Sequence, residues 1–112
     1  MKKNENKIYE LKTWFGEYKV TPMVYSYQYG GGIAIELIDV EEGEPFACLT
    51  VNLPSYPHEE NCAFVDTNNC SWAIEFLEEH KLAKPTRSMG MSGFCTYPEY
   101  EFDISKMEDK RD

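Results

Sequence analysis

The residues best suited to chemistry lie in one stretch, FVDTNNCSW at positions 64–72. Cys70 offers a nucleophile, and Asp66 could orient a base beside it. The chain has two histidines, His58 and His80. A helix running from Cys70 to His80 would separate them by about 15 Å, so only His58 could act as the base. The sequence therefore offers one candidate site for thiol chemistry, made of Cys70, His58 and Asp66.

The same stretch has a structural interpretation. A thiol at a helix N-terminus has a lowered pKa, which favours reactivity at Cys70. However, Asp, Thr and Asn side chains also accept hydrogen bonds from nearby backbone N–H groups and so begin helices. In that interpretation Asn69 or Ser71 caps the helix, and Asp66 lies near its positive end. We prefer the turn-and-cap interpretation, because no accompanying motif supports a cysteine hydrolase.

The cysteine spacing predicts neither a metal nor a cofactor. The four cysteines contain no C-x-x-C pair, which structural zinc sites usually need; they are Cys48, Cys62, Cys70 and Cys95. His58, Cys62 and Cys70 could supply three ligands at most, all from one loop. The D-x-D-x-D-G pattern of a calcium loop is also missing. We expect reduced thiols that pack as small hydrophobic residues.

Acidic residues are concentrated in the middle of the chain. Residues 31–80 contain eleven Asp and Glu and no Lys or Arg, although the net charge of the whole chain is only −9. This segment argues against binding to a phosphate backbone, which needs clustered basic side chains. It favours encounter with a basic protein, because a surface of one sign attracts the opposite charge. The alternative is that the charge only keeps the protein in solution.

Two groups of residues are candidates for an interaction surface. Acidic side chains form the first group: Glu41, Glu42, Glu44, Glu59 and Glu60. The second group comes from TYPEYEFD at 96–103, where Tyr97, Glu99 and Tyr100 combine acids with an aromatic type that is common at interface hot spots. The alternate aromatics of this tract could instead pack on a sheet.

These residues must be positioned by a small α+β domain. Alternation and turn residues predict one helix near 71–81 and five strands: 8–14, 17–28, 33–40, 45–52 and 94–104. The order ββββαβ predicts a twisted antiparallel sheet of about five strands, covered on one face by the helix. Pro22 predicts an edge position or a bulge. Residues 53–61 and 86–93 are predicted to be loops.

The length suits a single domain over residues 1–112, with frayed tails at 1–6 and 105–112. No apolar h-region follows the N-terminal lysines, and no apolar run approaches 18 residues. We therefore expect a cytoplasmic protein that does not associate with membranes.

Three strings resemble a known family: EPFACLTVNLP at 44–54, ENCAFVDTNNCSWAIEFLEEH at 60–80 and KPTRSMGMSGFCTYPEYEFD at 84–103. Together they are similar to a small bacterial family catalogued as domain of unknown function 4313. The resemblance implies a protein of gut bacteria that is encoded near conjugative or phage-derived elements. The family has no established activity, so it assigns no catalytic residue to this chain.

The leading hypothesis is an acidic, non-enzymatic interaction module that engages or inhibits a basic host defence or DNA-handling protein. The alternative is a thiol-dependent enzyme or a small-ligand binding module centred on Cys70, His58 and Asp66.

Overall fold

The computed structural model describes residues 7–27, 32–53, 55–57 and 59–111. The first four strands are β1 (Tyr9–Thr13), β2 (Gly16–Ser26), β3 (Ile33–Asp39) and β4 (Glu44–Cys48). The later elements are β5 (Thr50–Val51), β6 (Cys62–Val65), the helix α1 (Ala73–Glu79), β7 (Ala83–Ser92), β8 (Cys95–Phe102), a 3₁₀ turn (Ile104–Lys106) and β9 (Glu108–Asp109). Mostly antiparallel strands and one short helix confirm the α+β character of the chain.

The strands form two sheets, whereas the sequence predicted one sheet of about five strands. Sheet A has the order β1-β2-β3-β4, with β9 alongside β2 in parallel. Sheet B has the order β5-β6-β8-β7. The predicted strand 45–52 is divided between them, because the chain passes from one sheet to the other at Leu49. That residue is fully buried, and its N–H donates to the carbonyl of Ile35.

Two strands of sheet B were not predicted. Strand β6, CAFV, is buried on both faces and therefore lacks the alternation of polar and apolar residues that marks a half-exposed strand. Strand β7 was predicted mainly as a loop, since it is polar and contains Pro85 and Gly90. It is held as a strand by pairing with β8 and is irregular between Pro85 and Met89, where Arg87 has a φ of 76°. Partners distant in sequence therefore define both strands.

One main core is shared by both sheets and the helix. Sheet A contributes Leu11, Val20, Val24, Ile33, Ile35 and Leu37, and sheet B contributes Ala63, Val65, Tyr100 and Phe102. Helix α1 adds Ala73, Phe76 and Leu77, the apolar face that its periodicity predicted. No helix in the described part of the chain is long and apolar enough to cross a membrane.

A second, smaller cluster lies on the other face of sheet B, which we call the outer-face cluster. It consists of the buried residues Leu53, Phe64 and Tyr97 with the partly buried Val51, Tyr56 and Cys95. Neighbouring side chains of a strand point to opposite faces, so Phe64 joins this cluster while Ala63 and Val65 join the main core. Sheet B is therefore covered on both faces along β6.

Pro22 lies inside sheet A, although an edge position or a bulge was predicted. It pairs with Leu37 on the β3 side. On its other side β1 pairs only as far as Val20, and β9 begins at Met23. Pro22 occupies the gap between these two neighbours, where the strand needs no N–H donor.

The C-terminal segment also differs from the prediction of a frayed tail over 105–112. Met107 is 1% exposed, and Glu108 and Asp109 pair with Met23 and Val24 of β2. The buried Met107 side chain fixes the strand that follows it. The predicted tail at 1–6 lies outside the described residues, as does Asp112.

Candidate functional site

Cys70 is buried, which does not suit a nucleophile. Its residue is 5% exposed, and its thiol donates to the carbonyl oxygen of Cys48 at 3.6 Å. Burial, together with the charge of Asp66, raises the pKa of Cys70 to about 11. The thiol is therefore protonated near neutral pH. The lowered pKa expected at a helix start does not arise, because α1 begins only at Ala73.

Asp66 organises the turn that precedes the helix. Its Oδ1 accepts from the backbone N–H of Asn69 at 3.1 Å, and its Oδ2 accepts from the side-chain amide of Asn69 at 2.9 Å. The turn interpretation thus holds for Asp66. The predicted cap is wrong, since Trp72 occupies the N-cap position and no side chain bonds to the helix start.

No base is brought to Cys70 by the described residues. His58, the predicted base, lies outside them. The Nε2 of His80 is 2.7 Å from the carbonyl oxygen of Glu10, and its ring packs against Tyr9 and Phe76. His80 thus links the end of α1 to β1 through its contacts with Glu10 and Tyr9. Cys70 and Asp66 are neighbours, but they form a structural turn.

Tyr97, Glu99 and Tyr100 are also buried, in contrast to the exposed surface considered for them. Tyr97 belongs to the outer-face cluster, and the Tyr100 hydroxyl donates to Glu78 at 2.9 Å. The Glu99 carboxylate accepts from the Thr86 hydroxyl at 2.6 Å. The aromatic–acid tract therefore packs on the sheet, which was the other interpretation of its pattern.

The acidic candidates fall into two separate groups. Glu41 and Glu42 are exposed on the turn between β3 and β4, and Glu44 is exposed at the first position of β4. We call this stretch, residues 39–44, the acidic turn. The Oδ1 of Asp39 accepts from the N–H groups of Glu41 and Glu42, and Gly43 closes the turn with a φ of 71°. These hydrogen bonds use the backbone and Asp39, and the side chains of the three glutamates are exposed to solvent.

Glu59 and Glu60 form the other acidic group. They are exposed on the loop that leads into β6 of sheet B. The structure therefore does not combine the five predicted glutamates into one turn.

Beside the acidic turn lies a continuous row of aromatic side chains, which we call the aromatic strip. Its members are Trp14, Phe15, Tyr18, Phe46 and Trp72. Successive ring centroids are 5.1 Å apart for Trp14–Phe15, 5.9 Å for Phe15–Tyr18, 4.5 Å for Tyr18–Phe46 and 5.8 Å for Phe46–Trp72. Tyr18, Phe46 and Trp72 pack against the main core. Trp14 and Phe15 are 87% and 47% exposed at the other end.

Local backbone features assemble the strip. Trp14 and Phe15 form the two-residue turn between β1 and β2. On β4, Ala47 pairs with Leu37 and Pro45 pairs with Ile38, so Phe46 is an extra residue without a partner on β3. Such a β-bulge redirects a side chain, and here Phe46 and Ala47 both pack against the core.

The strip was missed by sequence analysis. The available signal was two adjacent aromatics, Trp14 and Phe15, directly before Gly16 in a predicted turn, where polar residues are usual.

The acidic turn and the aromatic strip share one end of sheet A. Val40 donates its N–H to the carbonyl oxygen of Lys19, which places the turn next to β2. Glu44 precedes Phe46 by two residues, and the Phe46 ring stacks on Phe15 with centroids 6.4 Å apart. Exposed carboxylates and exposed aromatic rings therefore lie at the same end of sheet A.

A cavity of about 720 Å³ lies elsewhere, where α1 ends and β7 begins. Its lining mixes charges of both signs, including Glu78, Lys81 and Lys84. The Nζ of Lys84 is 3.9 Å from the Oε1 of Glu101, and the buried Oδ1 of Asn61 has no hydrogen-bond partner among the described residues. No cluster of His, Cys, Asp and Glu among the described residues could hold a metal ion.

Comparison with known proteins places the chain in a family without giving it an activity. Comparisons with curated proteins and with solved structures found no match. The model of one family matches residues 21–112, which include the acidic turn but only Phe46 and Trp72 of the strip. The chain belongs to the family described as Domain of unknown function (DUF4313).

Proposed function

We propose that the protein is a non-enzymatic interaction module that docks on a basic protein surface through one end of sheet A. The docking surface combines the acidic turn with the exposed end of the aromatic strip. The observation that carries the proposal is that exposed glutamates and exposed aromatic rings lie at the same end of sheet A. Aromatic anchors beside charged side chains are typical of protein interfaces.

The charge distribution supports a basic partner. Residues 31–80, which contain the acidic turn, have no Lys or Arg. Among the described residues, none of the ion pairs involves Glu41, Glu42 or Glu44. Their carboxylates are thus available to a partner, and the negative field of the protein would speed the encounter. The mobile-element setting implied by the family resemblance makes a basic host defence or DNA-handling protein the partner class that we propose.

The two acidic groups allow a matched test with a basic probe. We would titrate a deca-lysine peptide by calorimetry against the wild type, against Glu41→Gln/Glu42→Gln/Glu44→Gln, and against Glu59→Gln/Glu60→Gln/Glu79→Gln. Both triple variants remove three negative charges from exposed sites. We expect the first variant to weaken binding roughly tenfold, as exposed ion pairs contribute about 0.2–1 kcal/mol each, and the second to weaken it much less.

Salt provides a second readout. Binding should weaken between 50 and 300 mM salt as the exposed carboxylates are screened. Equal losses for the two triple variants, or affinity that does not change with salt, would contradict docking at the acidic turn.

A further inference from the structure

We propose that the docking surface recognises arginine, with a guanidinium group of the partner lying on the exposed face of Trp14 while the acidic turn pairs with its charge. This inference rests on the proposed function and specifies the side chain that the surface accepts. It depends on the exposed end of the aromatic strip, which neither the family match nor the acidic composition assigns.

The ring of Trp14 has a face available for a ligand. Trp14 is 87% exposed. Its ring contact is with Phe15, at 5.1 Å between centroids and an angle of 80° between planes. An edge-on contact of this kind covers at most one face of the indole ring. A cation within about 6 Å of an aromatic centroid is attracted by the ring, and Trp is the strongest such acceptor.

The exposed rings are held in place by the rest of the strip. Phe15 lies 5.9 Å from Tyr18 and 6.4 Å from Phe46, measured between ring centroids. Tyr18 and Phe46 are in turn packed against the main core. The Phe15 ring, on which Trp14 packs, is thus positioned before a partner arrives, which lowers the entropy cost of binding.

The charges around Trp14 are arranged for a cation. The hairpin itself is balanced, since Lys12 is opposite Glu17 and Lys19 is opposite Glu10 across the two strands. The acidic turn beside it adds the carboxylates of Glu41, Glu42 and Glu44 without a described basic partner. The local excess of charge is therefore negative.

Arginine fits this combination better than lysine. A guanidinium is planar, stacks on aromatic faces and forms two parallel hydrogen bonds to a carboxylate. An ammonium is more strongly hydrated and acts as a point charge. An arginine can thus stack its planar group on Trp14 and form two parallel hydrogen bonds to a carboxylate at the same time, whereas a lysine cannot form the bidentate pair.

The test compares a deca-arginine peptide with a deca-lysine peptide on the same proteins by calorimetry. We expect the wild type to prefer deca-arginine. Trp14→Leu should reduce that preference by about two- to fivefold, the loss of one exposed cation–π contact, and Trp14→Phe should keep part of it. The acidic-turn triple variant should weaken both peptides. The exposure of Trp14 makes both substitutions compatible with folding, which circular dichroism would check.

The outcomes separate this inference from the proposed function. If Trp14→Leu leaves the ratio of the two affinities unchanged while the acidic-turn variant weakens both peptides, arginine recognition is wrong and the docking surface remains. If the acidic-turn variant and its matched control behave alike, the proposed function fails. If Trp14→Phe loses as much preference as Trp14→Leu, the aromatic face is not the recognised feature.

Discussion

The aromatic strip and the outer-face cluster are built from similar residues but differ in how they are covered. In the outer-face cluster, Phe64 is 3% exposed and contacts the ring of Tyr56 at 5.4 Å. In the strip, Trp14 is 87% exposed, and its ring lies edge-on to that of its chain neighbour Phe15. Aromatic content alone therefore does not distinguish a closed cluster from a platform open to a partner.

The difference arises because Leu53 and Tyr56, which we call the cover, pack over Phe64 in the outer-face cluster. Tyr56 donates its N–H to the carbonyl oxygen of Leu53, and its hydroxyl accepts from the N–H of Met91. Gly90 lets Leu53 and Phe64 approach β7 closely. In the described part of the chain, no corresponding segment lies over Trp14. A partner would supply the cover that the chain provides for sheet B.

The largest contrast should appear when each region loses an aromatic ring. Phe64→Ala should lower the free energy of unfolding by about 3–5 kcal/mol, because it leaves a cavity in a closed cluster. Trp14→Ala should change it by less than about 0.5 kcal/mol, as expected for an exposed side chain. Urea denaturation would measure both. Similar losses for the two variants would show that the strip contributes to folding as the outer-face cluster does.

The cysteines extend the contrast between open and closed regions. Cys48 is exposed on β4, the strand of Phe46, while Cys70 is buried with a pKa raised to about 11 from an ordinary 9.0. At neutral pH Cys70 should contain roughly a hundredfold less thiolate than a free cysteine, so iodoacetamide should modify Cys48 first. Peptide mapping by mass spectrometry would follow the reaction. Equal rates of modification at the two thiols in the folded protein would instead indicate that Cys70 is reactive.

The same burial predicts how stability depends on pH. The pKa of Cys70 is raised from 9.0 to about 11 in the folded protein. As the pH rises, the unfolded chain therefore loses the Cys70 proton before the folded protein does. The contribution of Cys70 to stability is therefore present below pH 9 and declines between about pH 9 and 11. Cys70→Ala should flatten that decline in denaturation curves measured across this range.

A smaller loss of stability is expected at Gly90, where β7 packs against Leu53 and Phe64. A methyl group at Gly90 would lie 2.6 Å from Leu53 Cδ1 and 2.8 Å from Phe64 Cε1. Gly90→Ala should therefore destabilise the protein by about 1–3 kcal/mol through overpacking. Ser92→Ala, at an exposed position of the same strand, is the matched control. Equal stability of the two variants would argue that Leu53 is loosely packed.

The smallest effect tests the hydrogen bond that holds the cover. Tyr56→Phe keeps the ring on Phe64 but removes the hydroxyl that accepts from Met91. The expected cost is about 0.5–1.5 kcal/mol, the net value of one hydrogen bond. Faster exchange of the Met91 amide with solvent would confirm that this contact is broken. An unchanged exchange rate of the Met91 amide would indicate that apolar packing alone holds Tyr56 over Phe64.

The sequence predicted well those elements that depend on local pattern. Strands β1 to β3 and the apolar face of α1 follow from alternation and helical spacing, and they lie close to the predicted positions. Strands β6 and β7 were missed because their pairing with β8 defines them. The division into two sheets depends on the crossing at Leu49, which has no local signal.

For the candidate site, the sequence identified the glutamates of the acidic turn but not the surface beside them. The strip joins Trp14 and Phe15 to Phe46 and Trp72, which are distant in the chain and meet only after folding. Its assembly also requires the bulge at Phe46, which the register of two strands creates. Conversely, the sequence allowed Tyr97, Glu99 and Cys70 to be either exposed or packed, and only the folded structure shows that all three are buried.

The most direct test of docking at the acidic turn and Trp14 is chemical-shift mapping by NMR, with the labelled protein titrated with deca-arginine. Both tryptophans of the chain belong to the strip, so their indole N–H signals report on it directly. We predict that the largest changes occur at the Trp14 indole and at the amides of Glu41, Glu42 and Glu44. Changes centred on Glu59 and Glu60, or spread evenly over the acidic surface, would contradict docking at this end of sheet A.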